Sequence, residues 1–216
     1  MTKIGAIVLD FDGVLVESNE AKLAAFKDLF ALYPIYHDAM MDYHLVNYSL
    51  PRMMKFEYYV YNLMKRPRDV ATVQAMAVQF SKLVADRVLS CSDVPGARDF
   101  LDEFCHQVPL YVSSVTPESE LRNIIHGRGM ESFFADVFGD PPWQKPHAIR
   151  AVLTREQLLP SELIFIGDSV SDYHAALETG AVFVARDSGL PFNGIEIKPY
   201  RDLYEIADVI RNRMTD

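Results

Sequence analysis

Leu9-Asp10-Phe11-Asp12-Gly13-Val14-Leu15-Val16-Glu17 is the stretch from which the rest of the chain is read. It continues the apolar run Ile4-Gly5-Ala6-Ile7-Val8-Leu9, which is bounded like a buried parallel strand. Asp10 and Asp12, two residues apart, project to the same side where that strand ends. Gly13 then lets the chain turn sharply without a Cβ penalty. Open α/β sheets bind ligands beyond the carboxyl ends of their strands, so paired acids at that point suit a crevice. Two such carboxylates repel each other unless a cation or a shared proton compensates. Taken alone, the same residues also fit an ordinary Asp-Gly turn.

Outward from this stretch, glycine divides the chain. None lies between Gly13 and Gly96. A glycine-free segment rich in Ala, Leu, Met and Lys reads as helical. Apolar residues recur at helical spacing in Leu23, Phe26 and Phe30, and again in Met54, Tyr58 and Tyr61. Pro34, Pro51 and Pro67 punctuate the segment into four helices, near 19–32, 37–46, 51–65 and 68–90. Its tyrosines and methionines are read as core packing. After Pro95-Gly96, strands at 108–113, 134–138, 162–166 and 181–185 alternate with helices at 97–106, from 116 on, at 146–153 and at 171–179. The helix from 116 on opens with Thr116 as a hydroxyl N-cap before Pro117. Alternation of this kind predicts an α/β fold with a doubly wound parallel sheet. The first strand belongs to that sheet, so the helical block is an insertion hinged near 14–18 and 91–96. The expected domains are residues 1–16 with 93–216, forming the α/β core, and 17–92, forming a helical domain.

Composition narrows the function classes. With 216 residues, half of them hydrophobic, the chain can bury a sizeable core. A net charge of −9 argues against a nucleic-acid footprint, which needs a basic face. Cys91 and Cys105 make neither a metal spacing nor a disulfide framework, which points to a reducing, cytoplasmic setting. The first apolar run is too short for a secretory signal, and no run approaches the ~20 residues of a membrane-spanning helix. The six histidines form no metal pattern.

Three further stretches follow predicted strands. Ser113-Ser114 ends the second strand before a helix, where hydroxyls and backbone N–H groups bind anions or serve as caps. Lys145 lies in a loop between Pro141-Pro142 and Pro146. Gly167-Asp168-Ser169-Val170-Ser171-Asp172 follows the fourth strand, with two acids four apart that could face one site or cap a helix. All four stretches fall on the same edge of the sheet. Asp10, Asp12 and Asp168 would supply hard oxygen ligands for Mg²⁺, which keeps waters for a substrate to replace. Lys145 and Ser113 would face phosphate oxygens.

In these motifs and their order the chain resembles the haloacid dehalogenase-superfamily hydrolases with a helical cap. It is similar to the phosphoglycolate phosphatase and β-phosphoglucomutase branch. The family's Asp-x-Asp-Gly motif matches Asp10, Asp12 and Gly13, its strand-end hydroxyl Ser113, its lysine Lys145, and its Gly-Asp-x-x-x-Asp motif Gly167, Asp168 and Asp172. The resemblance implies that Asp10 attacks phosphorus and forms an aspartyl-phosphate, and that Asp12 is the general acid and base. It implies Mg²⁺ at Asp10, Asp168 and the carbonyl of Asp12, with Asp172 acting on the metal site through water or Lys145. Ser113, the backbone N–H of Ser114 and Lys145 would hold the phosphoryl oxygens.

The cap is expected to set the substrate. Arg52 takes the position of a cap arginine with altered spacing, and Arg52 and Lys55 could bind a second polar part of the substrate. Glu17 stands where the family often has Asp, a minor change. Lys22 lies where the mutase branch has a histidine thought to help position the acid–base aspartate, which favours a phosphatase over a mutase. Arg186, after the last strand, is a further candidate to touch substrate. The expected function is Mg²⁺-dependent hydrolysis of a small phosphorylated metabolite, a sugar or related phosphate monoester, by a monomer or homodimer. Alternatives are a phosphomutase of the β-phosphoglucomutase type, a non-catalytic ligand-binding member of the fold, and, more distantly, phosphonate hydrolysis using Lys55 or Lys22.

Overall fold

The computed structural model describes residues 3–215. The chain divides into two compact units, one made of the residues up to Glu17 together with those from Ser92 on, the other spanning Ser18–Cys91.

The first unit is built on a five-stranded parallel sheet: β1 (Ala6–Leu9), β2 (Leu110–Ser114), β3 (Asp136–Gly139), β4 (Leu163–Gly167) and β5 (Val182–Ala185), in the order β3-β2-β1-β4-β5. β1, β2 and β4 are buried along their whole length, the pattern of central strands covered on both faces. Five helices surround the sheet: α5 (Ala97–Phe104), α6 (Glu118–Gly127), α7 (Lys145–Glu156), α8 (Val170–Thr179) and α9 (Leu203–Thr215), numbered after four helices in the second unit. Ala6, Val8, Tyr111 and Phe165 project from the sheet into a core shared with Ala148, Ile149 and Val152 of α7 and Ala175 and Ala176 of α8. By the pleat, Ile7 and Leu9 face the opposite layer, and both are fully buried. α5 and α9 pack against each other. Gly96, the N-cap of α5, has φ +80°, and a Cβ there would sit 2.8 Å from the backbone nitrogen of Tyr204 in α9. α9 was not anticipated, although Leu203, Ile206, Ala207 and Ile210 bury a stripe at helical spacing.

The second unit is helical: α1 (Asn19–Ala31), α2 (His37–Val46), α3 (Arg52–Tyr58) and α4 (Val70–Ser90). Asp69 caps α4 by accepting from the Thr72 backbone N–H at 3.1 Å. Phe26, Phe30, His44, Phe56, Tyr59 and Phe80 form an aromatic centre, with Phe26 and Phe80 4.3 Å apart between ring centroids. α3 runs into a π-helical turn, Tyr59–Leu63. The stripe expected at Met54, Tyr58 and Tyr61 is not the buried one: Met54 is 52% exposed, whereas Lys55, Phe56, Tyr59 and Val60 are buried. The buried face keeps helical spacing but lies one to two positions out of phase with the expected stripe, at Lys55, Phe56, Tyr59 and Val60.

Among the described residues no helix is long and apolar enough to cross a membrane.

Candidate active site

The sheet register assembles the site. Leu9 pairs with Val112 on one side and Ile166 on the other. The next residues along the three strands, Asp10, Ser113 and Gly167, therefore come level at the carboxyl edge. β1 is where the strand order reverses, with β2 and β3 to one side and β4 and β5 to the other, and such switch points hold ligands in open α/β sheets. Asp10 continues the ladder by donating its N–H to the Ile166 carbonyl at 2.8 Å. Gly13, at φ +74°, makes the turn, and its N–H bonds the Val16 carbonyl at 2.8 Å.

Asp10 is 6% exposed and held on both carboxylate oxygens. Oδ1 accepts from the Phe11 backbone N–H at 2.7 Å, and Oδ2 accepts from Lys145 Nζ at 2.8 Å. Burial raises its pKa well above the ordinary carboxylate range. Lys145 works against that rise, while Asp172, Asp168 and Asp12 add to it. Lys145 also donates to Asp172 Oδ1. Burial alone would lower the lysine pKa, but the two carboxylates outweigh it and hold the ammonium above its usual value. Lys145 is the first residue of α7, not a loop residue, with Pro146 in the first turn where its missing N–H costs nothing.

Asp172 is fully buried and serves two ends. Its Oδ2 accepts from Ser169 Oγ at 2.7 Å and from the backbone N–H groups of Ser169 and Asp168 at 3.2 and 3.3 Å, closing a capping box at the start of α8. Gly167 permits this, because a Cβ there would overlap the Asp172 side chain. Oxygens of Asp10, Asp168 and Asp172 lie within 4.8 Å of one another.

Asp12 is 8% exposed, and its Oδ2 accepts from Ser114 Oγ and Thr116 Oγ1, each at 3.2 Å. Thr116 does not cap α6 as expected, since the N-cap position is Pro117. Ser113 Oγ is fully buried and has no hydrogen-bond partner. Arg186, considered above for substrate, turns to the loop after β1: Nη1 donates to the Gly13 carbonyl at 3.0 Å and to Glu17 Oε2 at 3.1 Å, and Nη2 pairs with Glu17 Oε1. The sequence reading missed both of these contacts.

In the helical unit, Lys55 is 2% exposed, with Nζ 2.6 Å from the Tyr48 carbonyl and 3.3 Å from His44 Nδ1. The Arg52 guanidinium lies over the Phe80 ring at 5.4 Å.

The acids, the lysine and the buried hydroxyl make an edge able to bind a cation and a tetrahedral anion together. Two curated phosphoglycolate phosphatases are similar in sequence. That of Synechococcus elongatus is 25% identical over 186 residues, 83% of this chain and 82% of its own. That of Vibrio vulnificus is 29% identical over 92 residues, so this chain spans 40% of its length. In structure, the chain matches a haloacid dehalogenase-like family hydrolase from Streptococcus pneumoniae with a TM-score of 0.72 and 22% identity, covering 97% of this chain and 100% of that one. Residues 7–186 match the family model for haloacid dehalogenase-like hydrolases, and the chain belongs to that family.

Proposed function

We propose that this protein, a phosphatase, hydrolyses a small phosphorylated metabolite, a sugar or related phosphate monoester, through an aspartyl-phosphate on Asp10. The observation that carries the reading is the Asp10 carboxylate, held at a strand end by a backbone N–H and by Lys145, with Asp12 two residues on.

Asp10 attacks phosphorus, and the bond to the leaving oxygen breaks as Asp12 protonates it. Asp12 then takes a proton from the water that cleaves the aspartyl-phosphate. The orphaned Ser113 hydroxyl, the Ser114 backbone N–H and Lys145 hold the phosphoryl oxygens. An ammonium has three donors, and Lys145 spends two on Asp10 and Asp172. The residues fit Mg²⁺, because three buried carboxylates, those of Asp10, Asp168 and Asp172, bring oxygens within 4.8 Å of one another. The metal would be held by Asp10, Asp168 and the Asp12 carbonyl. Asp172, whose oxygens already serve Lys145 and the α8 cap, acts through water or Lys145. When bound, the cation offsets the repulsion between an anionic nucleophile and an anionic phosphate.

Arg52 of the helical unit is the residue proposed to meet a second polar part of the substrate, whereas Lys55, 2% exposed with Nζ bonded to the Tyr48 carbonyl, is turned into the interior of that unit instead of toward a ligand. Replacing Arg52 by Ala is expected to raise KM with kcat held. We place the protein in a reducing, cytoplasmic setting, as a chain with two cysteines in neither a metal spacing nor a disulfide framework suggests. The test is phosphate release from sugar phosphates, phosphoglycolate and nucleotides with Mg²⁺, then with EDTA, beside Asp10→Asn. Metal-dependent release lost in Asp10→Asn is expected. Isomerisation that requires a sugar bisphosphate, without net phosphate release, would replace this reading with a mutase.

A further inference from the structure

We propose that the hydroxyls of Ser114 and Thr116 are positioning residues that fix Asp12 for proton transfer, a role resting on the phosphatase reading above. Neighbouring residues of a strand point to opposite sides, so the two serines ending β2 have different tasks. Ser113 Oγ is left without a partner, while Ser114 Oγ reaches Asp12 Oδ2 at 3.2 Å. The direction of that bond is set locally. Ser114 Oγ accepts from the Thr116 backbone N–H at 3.1 Å, so its own proton is the one directed to Asp12. Thr116 Oγ1 donates to the same oxygen at 3.2 Å. Both hydroxyls are buried, at 0% and 6% exposure.

The turn that carries Thr116 is itself fixed. The Glu118 N–H bonds the Pro141 carbonyl at 3.2 Å, and a Cβ on Gly139 would lie 2.5 Å from the Thr116 carbonyl oxygen. Two donors fill the lone pairs of Asp12 Oδ2 and set the rotation of its carboxyl group. The transferred proton then travels through Oδ1. In the first step the Asp10–phosphorus bond forms, the ester P–O bond breaks, and the leaving oxygen takes the Oδ1 proton. In the second, water gives a proton to Oδ1 and its oxygen bonds phosphorus as the Asp10–phosphorus bond breaks. Both anchoring hydroxyls come from the α/β unit, which also carries the acid.

The test uses leaving-group dependence, which a merely structural role does not move. An alkyl phosphate such as glycerol phosphate needs the proton as its P–O bond breaks, whereas p-nitrophenolate leaves without one. For Ser114→Ala with Thr116→Val, the ratio of kcat/KM on glycerol phosphate to kcat/KM on p-nitrophenyl phosphate is expected to fall about 100-fold. Thr116→Ser in the Ser114→Ala background is expected to recover most of that ratio. Thr116→Val alone, an isosteric change outside the strand, is the variant to read should the double variant not fold. An unchanged ratio in these variants overturns the proposal while leaving the phosphatase reading standing. A wild-type protein that turns over neither ester overturns both.

Discussion

Two lysines, one in each unit, are almost equally hidden: Lys145 is 7% exposed and Lys55 is 2% exposed. Burial pushes both toward the neutral amine. At Lys145 the carboxylates of Asp10 and Asp172 reverse that push, and the lysine stays a cation. At Lys55 the bonded partners are the Tyr48 carbonyl and His44 Nδ1, with the rings of Phe26 and Tyr48 at 5.2 and 5.7 Å. None of these is a carboxylate, and Lys22 adds a like charge, so the pKa falls to about 7. His44, buried beside the same ammonium, is lowered to about 3. The counter-charge, not the depth, decides whether a buried lysine remains a permanent cation or becomes a group that titrates near neutrality.

The sharpest way to break this comparison is to remove the acids from around Lys145. Asp10→Asn is expected to lower phosphate release by about 10⁴-fold or more, as loss of a covalent nucleophile does. The same change is expected to leave the melting temperature unchanged or raised, because it also removes repulsion from Asp172, Asp168 and Asp12. A clear drop in melting temperature would mean that the acids are net stabilisers here. Lys145→Met comes next. It strands two buried carboxylates, at an expected cost of about 3–5 kcal/mol in urea unfolding.

Lys55→Met is expected to act in the opposite direction. The amine has a folded pKa of about 7 against an ordinary value of 10.5, so between these the unfolded chain binds more protons. Wild-type stability therefore rises with pH across that window. The penalty is fully present below about 7 and gone above 10.5. Lys55→Met should be more stable than wild type at pH 7 by about 1–3 kcal/mol, after allowing for the lost bond to the Tyr48 carbonyl. That advantage should shrink by pH 9.5. An advantage that does not change with pH would show that Lys55 is not the titrating group.

How much of this was legible follows the same division. Asp10, Asp12 and Asp168 could be placed from sequence because a parallel register brings successive strand ends level, and each acid follows an apolar run. Lys145 was legible as a residue but not as the first position of α7, since Pro146 marks a boundary only to within a residue or two. Thr116 was read as a cap, the local use of a hydroxyl before proline. Its partner Asp12 is 104 positions away, and no local pattern encodes that contact. The same holds for the burial of Lys55. A lysine near the start of a helix reads as solvated, and the partners that hold this one inward, the Tyr48 carbonyl and the rings of Phe26 and Tyr48, come from other parts of the helical unit. The helices of 18–91 were found because proline punctuates them, whereas their buried faces depend on packing that periodicity samples poorly.

Arg186 offers the intermediate case. Its side chain is 7% exposed, yet that of its carboxylate partner Glu17 is 39% exposed, and it also donates to the Gly13 carbonyl. If counter-charge and desolvation together set the worth of a buried cation, water at Glu17 should weaken this pair well below Lys145 with its two buried acids. A double-mutant cycle of Arg186→Met and Glu17→Gln in urea unfolding is expected to give a coupling of about 1 kcal/mol. The coupling should fall when salt is raised, since the Glu17 side is open to screening. Asp10 and Lys145, 8% and 7% exposed at their side chains, should show little such dependence. A coupling at Arg186 as large and as insensitive to salt as that at Lys145 would mean that burial of the cation alone sets the energy, and the contrast between the two lysines would then need another cause.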